Sequence, residues 1–352
     1  MTQPLTIVTH AGAFHSDEIM ALVLLEQFYL AQPLRFDALS AEQTLGLLKG
    51  GARPALPPVV GADGLEDHRT GCLVVRTRNA EHLEAACANP DVLVIDVGGA
   101  YEASCKNFDH HQGSMTETWE DGTPLSSTGL VWRWLKAQGL LAIDATEQLE
   151  LEETLIRPLD AHDNGQEEFN VAGVCEDFNR LGSDNEVQLQ QFQKALAYVR
   201  EVWTNHRFKA VARAQARPVL AQAWEQAHAR GERFVVLEES LAYPDGTGLL
   251  KSISNGQALL LGIPGKGHRC SVISVSDTDR FSIKCPLPEA WRGRMDFDVD
   301  LEGQSVRLAF AHKTGFMGVV LGDLAAARRV CQHVVDQHEL THQPRRRLAG
   351  PR

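Results

Sequence analysis

The stretch "LTIVTHAGAFHSDEIMALVLLEQFYL", residues 5–30, places a short strand directly before a buried helix. Its first six residues are apolar and rich in β-branched side chains, which is typical of a buried strand. Residues 19–30 are apolar on nearly every side and predict a helix buried all round, with Ser16 or Asp17 as its N-cap. The stretch therefore predicts the first strand–helix unit of an α/β fold, with a polar turn between the two elements.

The same alternation of apolar strands and helices continues along the first half of the chain. Strands are predicted at 72–78 and 91–99, and helices at 80–88, 125–140 and 147–165. Such alternation predicts a parallel sheet with helices on both faces, whose ligands bind at the carboxyl ends of the strands. Residues 31–71 are rich in glycine and proline and predict an insertion that loops out of this sheet.

The pattern changes in the second half of the chain. A long helix is predicted at 187–230, with Pro218 expected to kink or break it. Five short strands and a last helix follow, at 233–240, 258–264, 270–276, 280–286, 306–312 and 322–337. The predicted domains are a metal-binding catalytic α/β domain, a helical connector with a smaller α+β carboxy-terminal domain, and a basic tail, at 1–175, 176–340 and 341–352.

Composition and charge limit the classes of function. The formal net charge is −12, whereas a protein that binds nucleic acid over its whole surface is usually basic. A polyanionic substrate must therefore bind in a local cleft, with metal ions offsetting the acidic charge. The seven scattered cysteines contain no CxxC pair and predict reduced thiols. With no basic, apolar leader and no apolar run of about 18 residues, we expect a cytoplasmic protein without membrane contact.

Histidine and aspartate residues recur at the predicted strand ends and adjoining loops. They are His10, His15, Asp17, Asp96, Asp109, His110, His111, Asp160 and Asp163. Taken singly, each is explained by a helix cap or a satisfied polar side chain, but their joint occurrence points to one site. Mixed carboxylates and imidazoles suit Mn²⁺, Mg²⁺, Zn²⁺ or Fe²⁺. Five or six such ligands can hold two ions about 4 Å apart, which polarise a phosphoryl oxygen and generate hydroxide near neutral pH.

The order of these motifs also resembles a known family. The motifs are "THAGAFHSDE" (9–18), "VRTRNAEHLE" (75–84), "VIDVGGAY" (94–101), "FDHHQGS" (108–114), "LSSTGLVW" (125–132), "DAHDNG" (160–165), "LPEAWRGRM" (287–295) and "FAHKTGFMGV" (310–319). Together they resemble the Myg-type exonuclease family, a branch of the DHH phosphoesterase superfamily that includes RecJ-like nucleases. The resemblance covers nearly the whole chain and implies a DHH-phosphoesterase-like fold.

The resemblance implies a site with two divalent ions, of which Mn²⁺ is the first expectation. One ion would be held by His10, His15 and Asp96. The other would be held by Asp17, Asp96, His110 and one of Asp160 or Asp163. By the same resemblance, Asp109 would orient a neighbouring histidine and His111 would face the substrate phosphate.

The second domain is expected to close over this site and bind substrate. Its candidate residues are Lys284, Arg292, His312, Lys313, Gly315, Phe316 and Gly318. Backbone N–H groups of the glycine loop can cradle phosphate, and the basic side chains can contact a nucleic-acid backbone. Phe316 can either stack on a base or pack in the core.

The leading hypothesis is a metal-dependent phosphodiesterase, a 3′–5′ exonuclease on single-stranded RNA or short oligonucleotides. The alternatives are a phosphoesterase for a small nucleotide or pyrophosphate, and a metal-binding regulatory protein without turnover. The sequence leaves the oligomeric state open.

Overall fold

The computed structural model describes residues 6–30, 32–53, 59–60, 66–67, 71–241, 246–277 and 282–342 of the chain. The chain divides into two compact units, Met1–Ala210 and Val211–Arg352. They are called the first and the second unit below.

The first unit contains short strands separated by helices. Its strands are β1 (Thr6–Thr9), β2 (Leu34–Arg35), β3 (Val59–Val60), β4 (Glu66–Asp67), β5 (Cys72–Arg76), β6 (Val92–Ile95), β7 (Tyr101–Glu102) and β8 (Asn107–Phe108). Its helices are α1 (Ser16–Phe28), α2 (Ala41–Leu48), α3 (Ala80–Ala88), α4 (Ser127–Ala137), α5 (Ala145–Leu151), α6 (Arg157–Asp163) and α7 (Asn170–Glu176), with a π-helical turn, Glu152–Ile156, between α5 and α6.

The main sheet of this unit has the order β2–β5–β1–β6–β8–β7. All neighbouring strands are parallel except β7, which pairs antiparallel with β8. Successive side chains of a strand point to opposite faces. Ile7 packs in the core with Leu22 of α1, whereas Val8 packs with Leu48 of α2 and Ala86 of α3. Helices therefore cover both faces, which confirms the predicted α/β fold.

Helix α1 is buried from Ser16 to Leu25, as its apolar sequence predicts. Its N-cap is His15, which makes no side-chain capping bond, so the predicted cap at Ser16 or Asp17 is wrong. The carboxylate of Asp17 instead accepts a hydrogen bond from the backbone N–H of Ser127, 110 residues further along the chain.

Part of the segment predicted to loop out belongs to the domain. Strand β2 pairs with β5 at the edge of the sheet. Helix α2 begins with a capping box between Ser40 and Gln43 and buries Leu48. The expectation of an insertion is therefore wrong for residues 34–48, because these local interactions outweigh the glycine- and proline-rich composition. Residues 54–58, 61–65 and 68–70 lie outside the described residues.

Helix α8 (Asn185–Ala229) contributes to both units. Phe192 and Trp203 pack in the core of the first unit, whereas Leu220 packs in that of the second. The division at Ala210 therefore lies further along the chain than the predicted boundary. The helix does not break at Pro218, because the burial of Ala216 and Leu220 on either side of it offsets the cost of about 3 kcal/mol of a proline inside a helix.

The second unit is an α+β structure. Its elements are β9 (Phe234–Val236), α9 (Gly246–Ile253), β10 (Leu260–Gly265), β11 (Arg269–Ser274), β12 (Met295–Leu301), β13 (Gln304–Ala311), β14 (Met317–Leu321) and α10 (Leu324–His342). The sheet order is β12–β13–β14–β11–β10–β9, antiparallel apart from the β9–β10 pair. Helix α10 packs Ala327 and Val330 into the core beside this sheet.

Two parts of the strand prediction fail in the second unit. Residues 282–286 form no strand, and the rest of the strand predicted at 280–286 lies outside the described residues. Strands β12 and β14 were not predicted. In β12 the aspartates alternate with apolar residues, which is the pattern of a strand with one buried face.

Among the helices that the structure describes, none has the length and apolar character needed to cross a membrane.

Candidate metal centre

Polar side chains meet where three neighbouring parallel strands end. His10 follows β1, Asp96 follows β6, and His110 comes two residues after β8. Asp17 lies in the first turn of α1, and Asp163 is the last residue of α6. Because parallel strands end at a common edge, residues distant in sequence become neighbours there.

Asp96 lies at the middle of this cluster. Its Oδ2 is 3.1 Å from Nε2 of His10, and its Oδ1 is 3.2 Å from Nε2 of His110. Ser127 Oγ donates a hydrogen bond to the same Oδ1 over 3.3 Å. The backbone of Asp96 has a φ of +59°, in the left-handed region that aspartate and asparagine adopt more readily than other non-glycine residues.

Asp17 and Asp163 also lie close to His110. Nε2 of His110 is 3.3 Å from Oδ2 of Asp163 and 3.8 Å from Oδ2 of Asp17. The backbone N–H of Ser127 donates to that oxygen of Asp17, and Thr128 Oγ1 donates to the carbonyl of Asp17 over 2.8 Å. The N-terminus of α4 thus holds Asp17, in line with the preference of carboxylates for helix N-termini.

Three sets of side chains in the described part of the chain bring ligand atoms within 4.8 Å of one another. They are His10, His15 and Asp96; Asp96, His110 and His111; and His15, Asp17 and Asp163. Asp96 and His15 each belong to two sets, so the three sets form one continuous cluster.

The cluster contains buried polar atoms that lack a partner. Asp17 Oδ1, Glu18 Oε1 and His110 Nε2 make no hydrogen bond of acceptable geometry within the described residues. The great majority of buried polar atoms in proteins do have a partner. Carboxylate oxygens and imidazole nitrogens are also ligands of Mn²⁺, Zn²⁺ and Fe²⁺. The residues present therefore fit divalent cations.

The electrostatics of the cluster favour added positive charge. Burial raises the pKa of Asp17, and the carboxylates of Asp163 and Asp96 raise it further. Burial also raises the pKa of Asp163. Burial lowers the pKa of His10, but Glu18 and Asp96 outweigh this effect and raise it to about 10. Carboxylates that raise one another's pKa are stabilised in the charged form by a nearby cation.

The two consecutive histidines differ in exposure and in partners. The side chain of His110 is 9% exposed, whereas that of His111 is 56% exposed. Nδ1 of His111 lies 2.8 Å from Oδ1 of Asp109, and this contact raises the pKa of His111. Asp109 also accepts a hydrogen bond from the backbone N–H of Gly99. Asp109 is thus held by the loop after β6 and fixes the orientation of His111.

Asp160 stands apart from the cluster. Its Oδ1 accepts hydrogen bonds from Ser126 Oγ (2.6 Å) and the backbone N–H groups of Ser126 and Gly129, and its Oδ2 accepts one from Trp119 Nε1 (2.7 Å). It is fully buried, and burial raises its pKa to about 7. Of the two alternatives left by the sequence, only Asp163 lies with the other candidate ligands.

A methyl group at Gly129 would disturb this arrangement. A Cβ there would lie 2.1 Å from Oδ2 of Asp160, well inside van der Waals contact. We expect Gly129→Ala to lower the free energy of unfolding by about 2–3 kcal/mol, measured by urea denaturation. Gly173→Ala, in α7 with nothing within 4 Å of its Cβ, is the control and should be neutral or stabilising. Equal effects of the two changes would contradict this prediction.

Two residues beside His10 were missed at the level of sequence. Glu18 is fully buried, with Oε1 3.0 Å from Nε2 of His10, and Thr9 Oγ1 donates to its other oxygen. Arg78 places Nη2 at 2.9 Å from Nδ1 of His10 and donates from Nε to the carbonyl of Ala11. Sequence alone suggests only that Glu18 is an acid favourable to a helix N-terminus. Its position directly after Asp17 in "HSDE" is the signal that could have identified it.

Two of the predicted substrate residues hold the loops of the second unit together. Arg292 Nε donates to the carbonyl of Leu287 over 2.8 Å, and Lys284 Nζ donates to the carbonyl of Gly256. Both cations are thus bound to backbone oxygens of their own unit. Their contact with a nucleic-acid backbone stays a prediction.

The remaining predicted substrate residues lie in or beside the loop between β13 and β14. Phe316 is 37% exposed, and its ring contacts that of His312 edge to face at 4.6 Å. Gly315 has a φ of +80°, and a Cβ on it would lie 2.8 Å from Arg292 Nε. Gly318 has similarly little room, whereas Lys313 is exposed. The glycines are required by packing, and the role of this loop toward substrate stays a prediction.

Curated relatives match nearly the whole chain. The MYG1 protein of Dictyostelium discoideum is 25% identical over 347 residues, which cover 89% of this chain and 92% of that protein. The MYG1 exonuclease of Mus musculus is 26% identical, over 90% of this chain and 81% of that protein. The MYG1 exonuclease of Homo sapiens is 25% identical, over 90% and 82%.

Among solved structures, RecJ of Thermus thermophilus in complex with Mn²⁺ aligns with 94% of this chain at 14% identity. The TM-score is 0.23, and the alignment spans about half, 52%, of that longer chain.

The model of the MYG1 exonuclease family, described as "Uncharacterised protein family (UPF0160)", matches residues 62–333. The match includes Asp96, His110 and Asp163, and begins after His10 and Asp17. It covers most of the chain and confirms the resemblance seen in the motifs, together with the expectation of a hydrolytic enzyme. The chain therefore belongs to the MYG1 exonuclease family.

Proposed function

We propose that the protein is a metal-dependent phosphodiesterase, a 3′–5′ exonuclease that acts on single-stranded RNA or short oligonucleotides. The observation that carries this proposal is the placement of Asp96 between His10 and His110, beside buried ligand atoms that lack partners. Membership of the exonuclease family supports the same class of reaction.

We assign two divalent ions to this site, with Mn²⁺ as the first choice over Mg²⁺, Zn²⁺ and Fe²⁺. His10, His15 and Asp96 form the first ligand set. Asp17, Asp96, His110 and Asp163 form the second. Ions bound there supply Lewis acidity for phosphoryl oxygens and lower the pKa of water. His15 of the first set has a ligand atom within 4.8 Å of those of Asp17 and Asp163 of the second set. This proximity supports the assignment of two neighbouring ions.

The protein's own groups position the substrate in this proposal. Asp109 holds His111 by the 2.8 Å contact, so the exposed imidazole is oriented before substrate arrives. The contact with Asp109 raises the pKa of His111, which favours the protonated form as a donor to a phosphate oxygen. In the second unit, we assign phosphate contacts to His312 and Lys313 and base stacking to Phe316. The acidic net charge suits a polyanionic substrate that binds at local sites and not over the whole surface.

A product ladder tests the proposal. With Mn²⁺ and a 5′-labelled oligoribonucleotide, we expect fragments that shorten by one nucleotide at a time from the 3′ end. Treatment with EDTA should abolish the reaction, and added Mn²⁺ should restore it. Turnover of a dinucleotide or pyrophosphate without a ladder would instead identify a small-molecule phosphoesterase. Metal-loaded protein that hydrolyses no phosphoester at all would contradict both enzymatic activities and leave a metal-binding regulatory protein.

Metal binding itself is tested by thermal unfolding. An ion that binds only the native state stabilises it by RT ln(1 + [L]/Kd), or about 2.7 kcal/mol at a hundredfold excess over Kd. We therefore expect Mn²⁺ to raise the melting temperature of EDTA-treated protein, and Ca²⁺ to do so less because the imidazoles suit it poorly. An unchanged melting temperature with Mn²⁺ would contradict the assignment of ions.

The free cysteines support a reducing, cytoplasmic location.

A further inference from the structure

We infer that a cavity beside β1 and β5 binds the base of the nucleotide whose phosphate reaches the metal centre. This inference rests on the proposed function. The cavity lies within the first unit and has a volume of about 310 Å³. The residues that line it include Ala11 and Gly12, which directly follow His10. Ligand pockets for small molecules start at about 300 Å³, so a single base fits.

Arg76 is the main polar group in the wall of this cavity. It ends β5 and pairs in register with Thr9, the residue before His10. Its side chain is only 8% exposed, and its Cζ lies 4.2 Å from the centre of the Phe192 ring. Nη2 donates to the carbonyl of Gly12, but Nε is buried without a hydrogen-bond partner in the described part of the chain.

The guanidinium group of Arg76 is the charged donor that the wall of this cavity offers to a ligand. A carbonyl oxygen or ring nitrogen of a base is an acceptor of the kind that arginine binds in nucleic acids. We therefore assign the guanidinium group of Arg76, which lines the cavity, to the acceptor edge of the base.

The other walls provide both apolar surface and hydrogen-bonding groups. Phe36 and Leu39 face the cavity from the segment before α2, and Leu189 faces it from the first turns of α8. Thr44 and Asn185 add polar groups on the same walls. A nucleobase has a flat apolar face and a polar edge, and its face stacks on aromatic side chains. The cavity therefore offers apolar and aromatic side chains to the face of a base and hydrogen-bonding groups to its edge.

The charges of the cavity favour a neutral ligand over a second phosphate. Arg76 and Asp37 are the only charged residues in its described wall. Asp37 is already bound by both Nε and Nη2 of Arg35 at 2.8 Å. Glu18 lies 3.7 Å from Arg76 and offsets its charge. With no excess of positive charge, the cavity suits a base and not a free phosphate.

The test uses nucleosides, which carry a base but no phosphate, so its result does not depend on metal or turnover. Equilibrium titrations with adenosine, guanosine, cytidine and uridine should show binding of at least one of them to the full chain in EDTA. Ala38→Trp places a bulky indole at the exposed rim of the cavity, where it narrows the space for a base, and should weaken this binding about tenfold. Ala137→Trp, exposed near the end of α4 and outside the cavity, should leave it unchanged.

Kinetics separate this inference from the proposed function. Ala38→Trp should raise KM for a dinucleotide about tenfold. Hydrolysis of bis(4-nitrophenyl) phosphate, which has no base, should be unchanged. Nucleosides that bind no better than ribose, or that bind the Ala38→Trp variant as well as the wild type, would overturn the assignment of the cavity. Wild-type protein that hydrolyses neither phosphodiester would overturn the proposed function, while the titrations would still decide the cavity.

Discussion

We expect Asp96→Asn to reduce turnover by roughly a thousandfold or more and to lower the metal content of the purified protein. Asp96 is the one carboxylate within 3.2 Å of both His10 and His110 among the described residues. Asparagine keeps the shape of the side chain and tolerates the φ of +59°. The change therefore removes the charge that is proposed to bridge two ions without forcing the backbone to move.

The fold of this variant should be retained. Loss of the Asp96 charge relieves part of the repulsion that raises the pKa of Asp17. It also removes the partner of His10 and His110, whose contacts hold the pKa of Asp96 below its usual range, so we expect a moderate loss of stability without unfolding. Metal content is measured by mass spectrometry, turnover by the product ladder, and stability by urea denaturation in EDTA. Asp91→Asn, an exposed aspartate just before β6, is the control and should behave as wild type. Wild-type turnover by Asp96→Asn would show that Asp96 does not bridge.

The second large effect separates Asp160 from Asp163. We expect Asp160→Ala to lower the free energy of unfolding by about 3–5 kcal/mol, because it leaves buried donors of Ser126, Gly129 and Trp119 without an acceptor. Asp163→Ala should change stability in EDTA by less than about 1 kcal/mol, since it removes a carboxylate that repels Asp17. It should instead abolish metal-dependent turnover.

Both variants are measured by urea denaturation in EDTA and by metal titration. Asp160→Asn serves as a milder comparison, because its amide keeps one acceptor oxygen. The assignment would be reversed if Asp163→Ala unfolded readily while Asp160→Ala kept its stability and lost metal.

The proximity of His10, Asp96 and His110 could be predicted because a general rule connects them. His10 and Asp96 each follow a predicted strand, and parallel strands end at one edge of a sheet. His110 was placed with them because its loop follows Asp96 in the chain, whereas the short strand β8 before it was not predicted. Once the sheet was predicted, the distances in sequence no longer mattered. The role of His111 toward substrate was implied by the family resemblance and not by this rule, and it stays a prediction.

Asp160 and Asp163 could not be separated by such a rule. They are three residues apart on α6 and so lie near one side of the helix. What distinguishes them is the partner on another element, since Ser126 at the start of α4 binds Asp160. Glu18 was missed for a related reason, because a buried acid and an exposed acid in a first helical turn have the same sequence pattern.

The boundary between units and the place of residues 34–48 depended on tertiary packing. Composition at 31–71 indicated a loop. The capping box between Ser40 and Gln43 instead begins a helix that buries Leu48. Similarly, the polar, glycine-containing segment near 166–185 resembled a linker. The contacts of Phe192 and Trp203 show that the chain is still within the first core beyond it.

The residues of the candidate metal centre extend from His10 to Asp163 and come together only when β1, β6, β8 and α6 are in place. An unfolded chain cannot hold these side chains within 4.8 Å of one another, so the proposed ions would bind the native state alone. We expect the cellular half-life of the protein to depend on metal supply, because metal-starved molecules would unfold and be degraded more often. Its abundance in a cell would then report on metal supply as well as on gene expression.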